Sequence, residues 1–187
     1  MVKLTPSEIP DVVLVEPDVW QDPRGFFVET YHAGKYRAAG IGADFVQDNH
    51  SFSSVRGTLR GLHAQVHHPQ GKLVHALLGE IWDVAVDLRP GSPTFKRWVA
   101  RTLSGDNHHQ LYVPPGCVHG LCVTSESAHV QYKCTDLYHP GDEIVVAWND
   151  PELAIPWPVG KPVLNDRDRD APRLSEILDR LQVWKVE

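Results

Sequence analysis

The chain has 187 residues, 42% of them hydrophobic and 22% charged, the balance of a soluble globular protein long enough to bury one sizeable core. Lys plus Arg number 18 against 24 for Asp plus Glu, and the net charge of −6 argues against general nucleic-acid affinity while leaving room for a local basic pocket. No apolar run approaches bilayer length, and Met1 to Pro6 lacks the apolar stretch of a secretion signal, so a membrane association is not expected.

Alternation of apolar and polar residues predicts short strands over 12–16, 26–32, 44–52, 58–66, 72–77, 80–88, 94–102, 110–114, 118–123, 128–135 and 144–148. Turn signals separate them, among them Asp22-Pro23-Arg24-Gly25, Pro69-Gln70-Gly71, Pro114-Pro115-Gly116 and His139-Pro140-Gly141-Asp142. Two helices are expected. One spans 33–39 and stops at Gly40; the other spans 172–183, where Leu174, Ile177, Leu178 and Leu181 recur at helical spacing. Many short strands with few helices imply an all-β sandwich or barrel. No linker interrupts the pattern, so one domain is expected, with a core at about 10–160 and a C-terminal extension over 161–187.

Cys117, Cys122 and Cys134 form no CxxC pair, and their odd number leaves any disulfide framework incomplete. A reducing compartment, the cytoplasm, is the simplest reading.

Residues two apart on a strand share a face. Trp82, Val84, Val86 and Leu88 therefore oppose Asp83 and Asp87, which are expected to meet water or a polar cavity. Gln47, Asn49 and Ser51 line one face of their strand, as Leu59, Gly61, His63 and Gln65 line one face of theirs. Histidine as a residue type suits a base near neutral pH, which makes His63 a candidate, but Arg60 has the opposite parity. A bulge at Gly61 would re-aim one of the two.

None of these side chains is decisive singly. A strand histidine is by default a hydrogen-bonded structural group, Lys72 a solvated strand-end charge and Tyr132 a packing residue. Asp168 sits in the charge run Asn165 to Asp170, which by default is a wet loop. A metal-binding set of His63, His67, His68 and His119 with Glu80 is conceivable on a small barrel, yet the adjacent pair His67-His68 would point to opposite faces.

Several blocks taken in order resemble a known family. Asp22 to Phe27, Phe45 to Ser51, Leu59 to His63, Gln70 to Val74, Asp83 to Arg89, Val113 to Gly116, His119-Gly120, Tyr132 to Asp136 and Trp148 to Pro151 together are similar to the dTDP-4-dehydrorhamnose 3,5-epimerases. The resemblance implies a cupin-type jelly roll with short flanking helices, usually a homodimer exchanging strands, and no metal or organic cofactor. It implies an isomerase acting on the dTDP-sugar dTDP-4-dehydro-6-deoxy-D-glucose at C3 and C5, in deoxysugar biosynthesis.

By position in those motifs His63 would be the base and Asp168 the group orienting it. Lys72 would stabilise charge on the C4 oxygen, and Tyr132 would be the acid. Arg24 and Arg60 would hold the diphosphate, and Gln47, Asn49 and His119 would line the sugar site. Tyr138, with Phe26 and Glu29 from a neighbouring subunit, would hold thymine. Ala64, Cys117, Leu121 and Leu137 depart from the family's bulkier residues at an expected pocket wall. This raises the alternative of epimerisation at C3 or C5 alone; a 3,4-ketoisomerase, a metal-dependent cupin oxygenase and a carbohydrate-binding module are the more distant readings.

Overall fold

Side-chain alternation along the strands builds two antiparallel sheets that bury one face of each against the other. A computed structural model describes residues 2–186. Its strands are β1 (Lys3–Pro6), β2 (Val13–Glu16), β3 (Val19–Asp22), β4 (Gly25–Val28), β5 (Gln47–Ser53), β6 (Leu59–Gln65), β7 (Lys72–Leu78), β8 (Glu80–Asp87), β9 (Trp98–Ser104), β10 (Gln110–Val113), β11 (Cys117–Val123), β12 (Ala128–Cys134) and β13 (Glu143–Val145). One sheet runs β1-β2-β10-β7-β12-β5 and the other β13-β6-β11-β8-β9, while β3 and β4 form a separate hairpin. This is the expected jelly-roll sandwich, in which most sheet neighbours are not chain neighbours. Two strands were not foreseen: β1 and β3 are four residues long and largely exposed, too short to show a period.

Between the sheets, Val74, Ala76 and Val130 meet Ile81, Ala85, Leu121 and Val123. Each valine, leucine or isoleucine among them contributes about 1.5–3 kcal/mol when fully buried. A second core lies on the outer face of the five-stranded sheet, where Leu59, Leu62, Val84 and Val86 are covered by Leu153, Trp157, Leu174, Ile177, Leu181 and Trp184. The C-terminal extension is thus sealed down along its length.

Helix α1 (Ala33–Ala39) is capped by the His32 ring and ends at Gly40, whose φ of 116° a side chain would resist. Its Tyr36 is buried against Val15, Ile41 and Leu73. Helix α2 (Asp166–Arg169) falls within the charge run expected to be a loop. The long C-terminal helix is shorter than its pattern: α3 covers only Leu174–Ile177 and passes into a 3₁₀ helix over Leu178–Trp184. The tighter coil ends with the Trp184 indole N–H donating to the Val66 carbonyl at 2.8 Å. Among the described residues no helix is long and apolar enough to cross a membrane.

Candidate active site

At one end of the sandwich the inner faces change from apolar to polar and enclose a cavity of about 400 Å³. Gln47, Asn49 and Ser51 of β5, Lys72 of β7 and Tyr132 of β12 line it from one sheet; Arg60 and His63 of β6 and His119 and Leu121 of β11 line it from the other. Tyr138, Asp168, Gln70, Glu143, Asn165 and Arg167 close the mouth.

Arg60 and His63 reach the same cavity because β6 is bulged. His119 pairs with His63, but Leu121 pairs with Arg60, so two steps on β11 span three on β6. Gly61, at φ 115°, occupies the extra position, and a Cβ there would stand 2.6 Å from the Gly120 Cα. The bulge also corrects the assignment of faces by simple alternation: Leu59, expected beside His63, packs into the outer core instead.

The His63 Nε2 lies 2.6 Å from Asp168 Oδ1, and the Gly61 N–H donates to Oδ2 at 3.1 Å. Asp168 is 1% exposed, held by α2 after Asn165 caps the Asp168 N–H at 2.7 Å. Burial pushes this carboxyl up, but the His63 hydrogen bond and charge, the Gly61 N–H and Arg167 outweigh burial and hold it below the usual range. An ionised carboxylate only accepts, so Nε2 carries a proton, and in the neutral ring the free lone pair is the one on Nδ1. That is the arrangement of an oriented general base.

His119 forms a second such pair, its Nε2 2.8 Å from Asp83 Oδ1. Asp83 and Asp87 are fully buried rather than solvated: Asp87 accepts from Arg89, Ser92 and Thr94, while Asp83 Oδ2 has no partner among the described residues.

The Lys72 ammonium lies 5.9 Å from the centre of the Tyr132 ring. Burial pulls its pKa below the ordinary lysine value, against the opposing influence of Cys134, Asp83 and Glu143. Burial pushes the Tyr132 hydroxyl up, which keeps it protonated at neutral pH. A phenol proton donor and a lysine amine therefore share the cavity with the His63–Asp168 dyad.

Arg60 donates to Ser53 Oγ and the Phe52 carbonyl, at 3.2 and 3.1 Å. Gln47 accepts from the Tyr138 N–H at 2.9 Å and donates to Asn49 at 3.2 Å. Three expected site residues lie outside the cavity. Arg24, in the β3–β4 turn, pairs with Asp22; Phe26 meets the His108 ring at 4.4 Å with the planes tilted by 49°; Glu29 pairs with Lys35 beside a different cavity of about 470 Å³ under α1.

The metal set weighed from the sequence does not converge, since His63 and His119 bind separate aspartates, Glu80 accepts from Thr124, and His67 and His68 lie outside the cavity. Of the four departures assigned to the pocket wall, only Leu121 lines the cavity. Cys117 is in the inter-sheet core, Ala64 packs on the outer core, and Leu137 is exposed at the rim.

Sequence reasoning missed Arg167 and Glu143. Arg167 Nη2 stands 3.2 Å from Nε2 and 3.5 Å from Nδ1 of His63, while Nη1 donates to Glu143 at 2.6 Å. The adjacency of Arg167 to Asp168 was the available signal.

A family model described as dTDP-4-dehydrorhamnose 3,5-epimerase matches residues 6–176. The dTDP-4-dehydrorhamnose 3,5-epimerase of Pseudomonas aeruginosa is 50% identical over 177 residues, 94% of this chain and 97% of that protein. A 3-epimerase of Streptomyces niveus is 39% identical, covering 95% of this chain and 86% of its own length. In structure, the 3,5-epimerase of Legionella pneumophila solved with dTDP-4-keto-L-rhamnose superimposes with a TM-score of 0.92 at 46% identity, over 97% of each chain. The two-sheet sandwich, the motifs in order and these likenesses agree: the chain belongs to the dTDP-4-dehydrorhamnose 3,5-epimerase family.

Proposed function

We propose that the chain epimerises dTDP-4-dehydro-6-deoxy-D-glucose at both C3 and C5, with His63 as base and Tyr132 as acid. The observation that carries this reading is the 2.6 Å His63–Asp168 dyad in a cavity that also holds Lys72 and Tyr132. The C4 carbonyl acidifies the hydrogens on C3 and C5. Nδ1 of His63 takes one of them as a proton, and the C–H electron pair moves into an enolate whose charge rests on the C4 oxygen. The Lys72 ammonium faces that oxygen as a point charge. Tyr132 then delivers a proton to the opposite face of the carbon, leaving its phenolate and the imidazolium to re-equilibrate with solvent. The carbon inverts with no change in oxidation state.

Arg60 offers its guanidinium to the diphosphate, and Gln47, Asn49 and His119 bound the sugar. Arg167 must leave Nδ1 as the sugar enters. In this reading 161–187 is part of the one catalytic domain, because it supplies Asp168.

A homodimer belongs to the same reading. The β3–β4 hairpin presents Trp20, Phe26 and Phe27 to solvent, 52%, 58% and 68% exposed, with Arg24 at its turn. Exchange of this hairpin between two copies would cover those rings and carry Arg24, Phe26 and Glu29 to the partner's cavity, where thymine would meet Tyr138. A reducing, cytoplasmic setting fits three buried free thiols.

Incubation with dTDP-4-dehydro-6-deoxy-D-glucose in D2O, followed by NMR, tests the activity. Deuterium is expected at C3 and C5. Label at one carbon would reduce the reading to a mono-epimerase, and none would remove it.

A further inference from the structure

We propose that His68, Asp136 and His139 form a binding site for a divalent cation of the zinc class, outside the catalytic cavity at its rim. One ligand atom from each lies within 4.8 Å of the other two, the one such group among the described residues. His68 Nδ1 stands 3.7 Å from Asp136 Oδ2, and the two imidazoles stack with centroids 3.7 Å apart and planes 12° from parallel. Around a tetrahedral zinc at about 2.0–2.2 Å, donor atoms stand roughly 3.4 Å from one another. Closing the group therefore needs donor-atom shifts of about 1 Å and rotation of the stacked rings so that their in-plane lone pairs converge, both within the swing of side chains that are exposed or half-buried.

The backbone beneath the group is held in place. Gln65, 3% exposed, donates to the His68 carbonyl at 2.7 Å and the Leu137 carbonyl at 3.1 Å, and accepts from the His139 N–H at 2.7 Å. Both ligand-bearing segments are thereby tied to one buried amide. Asp142 accepts from the His68 N–H at 2.8 Å. Asp136 Oδ1 accepts from the Leu137 N–H at 2.7 Å, which turns Oδ2 toward His68. Such outer contacts orient ligands in metal sites.

Two imidazoles and one carboxylate select zinc, nickel, cobalt or copper over magnesium and calcium, which prefer all-oxygen sets. Three protein ligands leave a fourth position for water. Tyr138 sits between Asp136 and His139 in the chain and lines the catalytic cavity, so an ion here would stiffen the segment that carries it. The site takes no part in the His63–Asp168 dyad and stands apart from the epimerase reading.

The test uses untagged, EDTA-dialysed protein titrated with Zn2+ by calorimetry and with Co2+ by visible absorption. One equivalent is expected, with affinity falling at least about tenfold in His68→Gln and in His139→Asn. His50 and His129 form the competing pair, 3.0 Å apart, and His50→Gln should leave binding intact. Thermal melts establish that each variant is folded. No binding to the parent protein, unchanged affinity in both His68→Gln and His139→Asn, or loss in His50→Gln instead would overturn the site.

Discussion

His63 and His119 pair across the β6–β11 ladder, and each imidazole is bound by its own buried carboxylate, Asp168 for the first and Asp83 for the second. The pairs differ in access: the His63 side chain is 20% exposed to the cavity and that of His119 9%. The more open ring is the one placed to meet a substrate.

Asp168→Asn removes the acceptor that fixes the His63 tautomer while keeping nearly the same volume. We expect kcat to fall roughly 10²- to 10⁴-fold. Circular dichroism should remain that of the parent, and KM should move far less than kcat. An unchanged kcat would assign Asp168 to structure alone.

Tyr132→Phe separates the two proton transfers. The base and Lys72 remain, so exchange of substrate hydrogen with D2O should persist, while inverted product falls by roughly 10²- to 10⁴-fold. Lys72→Met should depress exchange and inversion together, since both need the enolate. NMR of the recovered sugar reads both quantities.

Gly61→Ala tests the bulge. Its Cβ would meet the Gly120 Cα at 2.6 Å and the His119 carbonyl oxygen at 2.7 Å, both backbone atoms, at a φ that side chains resist. We expect a loss of stability on the order of 2–4 kcal/mol by chemical denaturation. The surviving folded fraction should turn over slowly, because Arg60 and His63 are re-aimed.

His75 gives an acid-sensitive term in stability. Burial pulls its pKa from 6.5 to about 4, with Lys133 also lowering and Asp48 raising it, and its Nε2 is buried without a partner among the described residues. Between those two values the unfolded chain binds a proton that the folded chain refuses. Stability is therefore full above pH 6.5 and lost as the pH falls toward 4, by up to roughly 3 kcal/mol. His75→Gln should flatten the stability profile across that window.

Most of the sandwich was legible because its long strands alternate strictly; β8 shows this best, with Trp82, Val84 and Val86 in one core and Ile81 and Ala85 in the other. Alternation failed at β6, where one inserted residue switches faces, and only the Gly61 signal hinted at it. It also misjudged Asp83, since a carboxylate on an inner face looks the same in sequence whether it meets water or a histidine from another strand. Asp168 was obscured in another way. A run of alternating charges gives no sign that a single turn of helix will bury one of them. Arg24 lies away from the cavity on a hairpin that pairs with neither sheet, a relationship no local pattern encodes, whereas Phe26 and Glu29 were expected to serve a neighbouring subunit.

The dyad joins residues 105 positions apart, and the later one lies close to where the C-terminal segment is sealed onto the outer sheet by Leu174, Ile177, Leu181 and Trp184. The cavity walls on β5, β6, β7, β11 and β12 and the carboxylate that orients the base therefore rest on separate parts of the chain. In the reading proposed here, loosening of the C-terminal segment would leave a cavity that still holds the nucleotide sugar but no longer epimerises it. The same apolar seal that holds the segment down therefore governs the chemistry as well as the fold.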